Sequence, residues 1–115
     1  MANNMAIAET IRQQLGGGRF TAMTGAKNFL AIDNGLRFRI GRNASKANMV
    51  EIVLNGKDLY DIKFIKYTPY SFKIKADGTF KETKESVKTV AEFSDYYGDM
   101  LQAVFTKVTG MYTHL

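Results

Sequence analysis

Apolar residues near the start of the chain recur every four positions, at Ile7, Ile11 and Leu15. The side chains between them are mostly polar, and this period places the apolar ones on one face of an α-helix. Asn3 or Asn4 can cap the helix start, because an asparagine side chain accepts hydrogen bonds from the unpaired N–H groups there. Three consecutive glycines follow and predict the end of the helix.

From residue 19 onward the apolar period changes to two, which is typical of β-strands. Short apolar runs are separated by Gly and Asn turns. The predicted strands cover residues 19–24, 28–33, 36–40, 49–54, 59–67, 70–76 and 79–93, the last with a break.

Hairpin signals join several of these strands. The Asn-Gly pair at 34–35 predicts a type I′ turn, because both residues tolerate a positive φ. The Asn-Gly pair at 55–56 and the Asp-Gly pair at 77–78 predict two more hairpins. Because hairpins follow one another without a helix between them, the sheet is predicted to be an antiparallel meander.

A helical period returns near the C-terminus, where Leu101, Phe105 and Val108 belong to one apolar stripe and Gly110 predicts its end. We therefore predict an α+β fold in which residues 1–115 form a single domain. Its antiparallel meander sheet has about six to seven strands, and one N-terminal and one C-terminal helix pack on one face.

The composition indicates a basic globular protein. The chain has 115 residues, of which 45% are hydrophobic, with one Pro and no Cys. No apolar run is long enough to cross a bilayer, and the N-terminus is not typical of a cleaved secretory signal, so no membrane partner is predicted. Sixteen Lys and Arg against eleven Asp and Glu favour polyanionic partners or acidic protein surfaces.

Catalysis and cofactor binding are largely excluded by residue type. Without Cys, and with His114 alone near the end, the chain lacks the residues of a nucleophile–base pair or a zinc site. The Ser-Lys pair at 45–46 and the alternating Ser and Lys at 71 and 73 are interpreted as solvated side chains. No catalytic residue, no metal and no cofactor are therefore predicted.

One carboxylate alternative stays open, a magnesium-dependent nuclease. Its acidic residues are Asp33, Glu51, Asp58 and Asp61. The spacing argues against it, because Asp58 and Asp61 are three residues apart and face opposite sides of a continuous strand.

The strand at 36–40 separates apolar from basic side chains. Its even-numbered residues are apolar and share one side, which leaves Arg37 and Arg39 on the other. Arg42 and Lys46 follow in the loop. One strand and its loop are therefore predicted to present four cations.

The stretch 63–75 interleaves lysines with aromatic residues, as a stacking platform for single-stranded nucleic acid does. However, Tyr70, Phe72 and Ile74 share one face, opposite Lys73 and Lys75. We therefore predict that these three apolar side chains belong to the core.

The outer face of the sheet is predicted to hold more cations than carboxylates, and Tyr67 shares that face with Lys63 and Ile65. The cations counted there are Arg37, Arg39, Lys63, Lys73 and Lys75, and the carboxylates are Glu51 and Asp61. This pattern favours a polyanion-binding surface, with a cross-strand ladder of ion pairs as the alternative. Val53, Ile65 and Tyr67 also fit an apolar patch for a protein partner.

Five segments carry a resemblance to a known group of proteins: Leu-Gly-Gly-Gly-Arg-Phe at 15–20, Met-Thr-Gly-Ala-Lys-Asn-Phe at 23–29, Asn-Gly-Leu-Arg-Phe-Arg at 34–39, Leu-Asn-Gly-Lys-Asp-Leu-Tyr-Asp at 54–61 and Thr-Gly-Met-Tyr-Thr at 109–113. The chain resembles a largely uncharacterised family of small proteins from bacteriophages, prophages and mobile elements. The resemblance implies a phage or mobile-element origin and the cytoplasm of a bacterial host cell.

The leading hypothesis is a small non-enzymatic phage protein that binds nucleic acid or a nucleic-acid-containing host protein complex. The predicted contact residues are Lys27, Arg37, Arg39, Arg42, Lys46, Lys63 and Tyr67. The cations would neutralise phosphates, and the tyrosine would stack on a base or an arginine. The alternative is a protein-only interaction module, such as an anti-CRISPR-like inhibitor of a host defence complex. The oligomeric state is left undetermined.

Overall fold

The structure is a computed structural model that describes residues 4–111. The helices are α1 (Asn4–Leu15), α2 (Gly17–Thr24) and α3 (Leu101–Thr109), the last preceded by a 3₁₀ turn at Gly98–Met100. The strands are β1 (Lys27–Ile32), β2 (Gly35–Arg39), β3 (Met49–Leu54), β4 (Tyr60–Thr68), β5 (Ser71–Ile74), β6 (Phe80–Thr83) and β7 (Ser86–Tyr96). Asn3 and His114 lie outside the described residues. Within those residues, no helix is both long and apolar enough to span a membrane.

The α+β class and the antiparallel pairing are confirmed, but the predicted single sheet of six to seven strands divides into two sheets. Five strands form the main sheet in the order β1-β2-β3-β4-β7, and β5 pairs with β6 in a separate hairpin. Since β4 already pairs with β3 on one side and β7 on the other, it offers β5 no free edge. The chain therefore leaves the sheet after Thr68 and returns to it at Ser86.

The predicted strand at 19–24 is wrong, because this segment is the helix α2. Phe20 and Thr24 are buried while Ala22 between them is exposed, which fits the helical period and not the alternation of a strand. The Phe20 ring contacts Phe38 edge-on at 5.4 Å and Phe105 at 5.0 Å. Six residues of alternating polarity fit either period, and this aromatic packing selected the helix. Gly25 ends it with a left-handed φ of 69°.

The core lies between the three helices and one face of the main sheet, which we call the inner face. The predicted alternation in β2 is confirmed, since Phe38 is fully buried while the Arg37 side chain is 41% exposed on the opposite, outer face. The helix side chains in the core include Ile11, Leu15, Phe20, Leu101 and Phe105, and the strand side chains include Leu36, Phe38, Val50, Ile52, Ile62 and Phe64.

The prediction that Tyr70, Phe72 and Ile74 belong to the core is wrong. Their exposed fractions are 56%, 52% and 75%. These residues share one face, as their spacing indicated, but the β5–β6 hairpin projects beyond the region that the helices cover. The molecule is accordingly elongated, with a longest extent of 54 Å and a radius of gyration of 16.1 Å. A compact chain of similar length has a radius of about 13 Å.

The turn predicted at 34–35 lies one residue earlier. Ile32 pairs with Gly35, so the turn residues are Asp33 and Asn34, and Asn34 takes the positive φ of 57°. Gly35 is instead the first residue of β2. A Cβ atom there would collide with the carbonyl oxygen of Ile52 on the neighbouring strand. Glycine is therefore required at this position for close strand approach and not for a left-handed turn.

Candidate functional site

One end of the main sheet gathers basic side chains. The strand register places Lys27 opposite Arg39 and Lys66 opposite Lys88 at this end, where the loop 40–48 also leaves β2. We call this region the basic end. Its cations are Lys27, Arg39, Arg42, Lys46, Lys66 and Lys88.

The opposite end of the sheet gathers carboxylates. The turns and strand ends there hold Asp33, Asp58, Asp61 and Asp95. Asn55 donates from its amide to Asp61 at 3.0 Å and to Asp95 at 2.9 Å, and Lys57 forms an ion pair with Asp95 at 3.1 Å. Charge is therefore segregated along the strand direction.

The four carboxylates of the nuclease hypothesis are not assembled into one site. Asp33, Asp58 and Asp61 lie at the end of the sheet opposite the basic end, whereas Glu51 pairs with Arg37 in the middle of the outer face. Between residues 4 and 111, no group of three or more Asp, Glu, His or Cys side chains could hold a metal ion.

A cleft of about 450 Å³ opens at the basic end, between the loop 40–48 and β4. Its charged lining consists of Arg42, Lys46 and Lys66, and no carboxylate is among its described lining residues. Within the described part of the chain, none of these three cations has an ion-pair partner. A concave site with three unpaired cations is suited to binding phosphate groups.

Side-chain amides hold the loop of the cleft in one conformation. Asn43 donates to the carbonyl oxygens of Gly41 and Ala47 at 2.8 and 2.7 Å and accepts from the backbone N–H of Ser45. The Ser45 hydroxyl also donates to Asn43, and it accepts from the Ala47 N–H. Ser45 is therefore half-buried and hydrogen-bonded within the loop, and not solvated as predicted. Lys46 next to it has a left-handed φ of 66°.

Asn48 connects this loop to β4, because its side-chain amide pairs with both backbone groups of one β4 residue as a neighbouring strand would. Its side-chain oxygen accepts from the Tyr67 N–H at 2.8 Å, and its side-chain nitrogen donates to the Tyr67 carbonyl at 2.7 Å. Because Asn48 also lines the cleft, these two bonds fix the position of the loop relative to Lys66.

We expect Asn48→Ala to lower the free energy of unfolding by about 1–2 kcal/mol, because both Tyr67 backbone groups lose a partly buried partner. Urea denaturation followed by circular dichroism measures this loss as a lower midpoint at an unchanged slope. Asn48→Asp should not restore the midpoint, because a carboxylate oxygen would replace the donor and face the Tyr67 carbonyl oxygen. An unchanged midpoint for Asn48→Ala would contradict the bridging role.

Two helix C-termini lie beneath the same loop. The Thr24 carbonyl at the end of α2 accepts from the Gly41 N–H at 3.5 Å, and the Thr109 carbonyl at the end of α3 accepts from the Ala44 N–H at 3.0 Å. The partial negative charge of helix C-termini favours nearby cations. This explains how the folded protein tolerates several like charges at the basic end.

Two predicted contact residues lie in a charge ladder on the outer face and not at the basic end. Arg37, Glu51, Lys63 and Glu92 occupy consecutive register positions on four neighbouring strands. The Nε and Nη2 atoms of Arg37 each lie 2.9 Å from Glu51 Oε1. The ion-pair interpretation therefore applies to Arg37, while Lys63 lies between two carboxylates in the register without an ion pair among the described residues.

The structure also removes the excess of cations that was predicted for the outer face. Lys73 and Lys75 lie on or beside the β5–β6 hairpin and not on the main sheet, while Glu92 of β7 adds a carboxylate that the sequence count omitted.

Tyr67 is stacked on an arginine of its own chain. The Arg39 guanidinium lies 5.9 Å from the centre of the Tyr67 ring, within cation–π range. Ile65, predicted to be exposed on the same face, is only 4% exposed. The apolar patch expected from Val53, Ile65 and Tyr67 is therefore smaller than predicted.

Lys66 and Lys88 were missed as candidate residues. Each is exposed, and they face each other directly across the β4–β7 ladder. Like charges at such positions destabilise a sheet unless something neutralises them. The sequence did contain a signal for Lys66, since it continues the even-numbered positions of Ile62 and Phe64. Its pairing with Lys88, however, depends on a strand register that includes a bulge.

Comparison of the chain with protein-family models, with curated proteins and with solved structures found no match. The resemblance to small phage and mobile-element proteins therefore stays a prediction.

Proposed function

We propose that this protein binds nucleic acid, free or within a nucleoprotein complex of a bacterial host, through its basic end. The observation that supports this is the segregation of charge along the sheet, with three unpaired cations around one cleft. Phosphates are the natural counterions for such a site, because the cations release bound salt when phosphates replace it. The resemblance to phage proteins supports an accessory, non-enzymatic role in the host cytoplasm.

Binding to phosphates also accounts for the Lys66–Lys88 pair. The pair opposes folding in the free protein, and a phosphate between the two strands would convert this repulsion into attraction for both ammonium groups. Arg42 and Lys46 approach from the loop side of the same cleft. The Asn43 and Asn48 amides in the lining are used by hydrogen bonds within the fold, which leaves the three cations for the ligand, so we expect little sequence preference.

The salt dependence of binding tests the proposal. Labelled DNA and RNA, single-stranded and duplex, are titrated with the protein by fluorescence anisotropy over a salt series. With four to five phosphate contacts, the logarithm of the association constant on duplex DNA should fall with the logarithm of the salt concentration at a slope of about −4. Undetectable binding at low salt, or a slope near zero, would contradict it.

The protein-only module is the other outcome of this test. It predicts a partner that stays bound after nuclease treatment of an extract and whose binding depends weakly on salt.

A further inference from the structure

The β5–β6 hairpin has one aromatic face and one basic face. Phe72 and Phe80 stack with ring centres 5.5 Å apart and an angle of 25° between ring planes, and both are more than half exposed. Tyr70 lies on the same side, where its hydroxyl donates to Glu82 at 3.2 Å. On the reverse side Lys73 is directly opposite Lys81.

Neither face is explained by the fold. A two-stranded hairpin on its own is marginally stable in water, and a contiguous exposed aromatic cluster marks a binding surface. The opposed lysines add repulsion instead of stability. Within the described residues, the aromatic face therefore lacks a partner for its rings, and the basic face lacks a partner for its positive charge.

The hairpin directly adjoins the basic end. The pair Thr68–Ser86 lies two register positions beyond Lys66–Lys88 in the β4–β7 ladder, and β5 begins three residues after Thr68. At about 3.3 Å per residue, the six-residue step from Lys66 to Phe72 spans at most about 20 Å. A ligand held by phosphates at the cleft can therefore reach the two rings.

We infer that unpaired bases of a single-stranded nucleic acid stack on Phe72 and Phe80, while its phosphates bind at the basic end. The inference rests on the proposed function and names its preferred substrate, single strands over duplex. Stacking requires the face of a base, which a duplex conceals and a single strand presents.

The hairpin carries carboxylates both at its tip and on its aromatic face. Asp77 is at the tip, where hydrogen bonds from the side chain and the backbone N–H of Thr79 hold its pKa below the usual value, so it stays ionised. Glu82 is the carboxylate on the aromatic face, and we expect Glu82→Gln to strengthen single-strand binding. If the aromatic face instead bound a basic protein, the same change would weaken that complex.

Substitutions of Phe72 separate base stacking from simple apolar contact. With a labelled oligothymidine of about 16 nucleotides, we expect Phe72→Leu to weaken binding about 10-fold and Phe72→Tyr to preserve it, because leucine keeps the apolar area but has no ring. Binding to a duplex should change little in either variant. Single-strand affinity for Phe72→Leu equal to that of the unsubstituted protein would overturn the inference.

A fluorescent reporter tests the contact itself. The chain has no Trp, so Phe72→Trp introduces a single indole at the stacking position. We expect oligothymidine to quench its emission, and the same reporter combined with Lys66→Ala to require more oligonucleotide. Unchanged emission at saturating oligonucleotide would overturn the inference even if Phe72→Leu had altered folding.

The outcomes distinguish the two proposals. If no nucleic acid binds, both fail. If Lys66→Ala weakens binding but neither Phe72 experiment responds, the basic end stands and the stacking role fails. A dimer in sedimentation that Phe72→Leu dissociates, with single-strand affinity unchanged, would assign the aromatic face to a second copy of this chain instead.

Discussion

Replacing Arg42, Lys46 and Lys66 together by alanine should remove most of the salt-dependent binding of nucleic acid. Each phosphate contact contributes about 0.9 to the slope of log K against log salt on duplex DNA, so three contacts contribute roughly 2.7. Between about 50 and 200 mM salt, the affinity of the unsubstituted protein should therefore fall roughly 40-fold more than that of the variant. Anisotropy titrations at both salt concentrations measure the difference.

A matched control separates the position of the charges from their number. The alternative triple substitution Arg12→Ala, Arg19→Ala and Lys57→Ala removes the same number of positive charges, three, from outside the basic end. Its net charge equals that of the cleft variant, but it should retain nearly all of the binding. If both variants lose affinity equally, net charge alone governs binding and the cleft is not the site.

Gly35→Ala should destabilise the fold by roughly 3 kcal/mol, near the upper end for forcing extra atoms into a packed region. The added Cβ would meet the carbonyl oxygen of Ile52 and lie 3.0 Å from the Val53 Cα, both backbone atoms of the central strand β3. Backbone atoms cannot rotate away as a side chain can, so β2 and β3 must separate. We expect a melting temperature lower by roughly 12 °C, measured by circular dichroism.

Gly56→Ala is the control for this experiment. A Cβ at Gly56 has nothing within 4 Å, and its φ is not in the left-handed region. It should therefore change the melting temperature by little. Equal stability of the Gly35→Ala and Gly56→Ala proteins would contradict the close approach of β2 to β3.

The strand faces could be predicted because alternation is a local property. Once Phe38 is inside a strand, its neighbour Arg37 must point to the other side. The same reasoning placed Tyr70, Phe72 and Ile74 on one face correctly but assigned that face to the core. Parity indicates which side chains point together, and it does not indicate whether anything covers them.

The candidate site was only partly predictable. Arg42 and Lys46 follow a basic strand closely, so the sequence pointed to them directly. Lys66 and Lys88 come together through pairing between distant parts of the chain, and the bulge in β4–β7 shifts that register. Glu92 enters the outer face by the same pairing, opposite Lys63.

The sequence by itself determined the α+β class, the C-terminal ends of α1 and α3, most strand positions and the total positive charge, because each depends on neighbouring residues or on composition. The tertiary structure decided that 17–24 is a helix, that 71–83 projects as a hairpin and that the unpaired cations share one end. These outcomes depend on which surfaces are covered and on which strands pair. Contacts between residues far apart in the chain set both, and no local pattern encodes them.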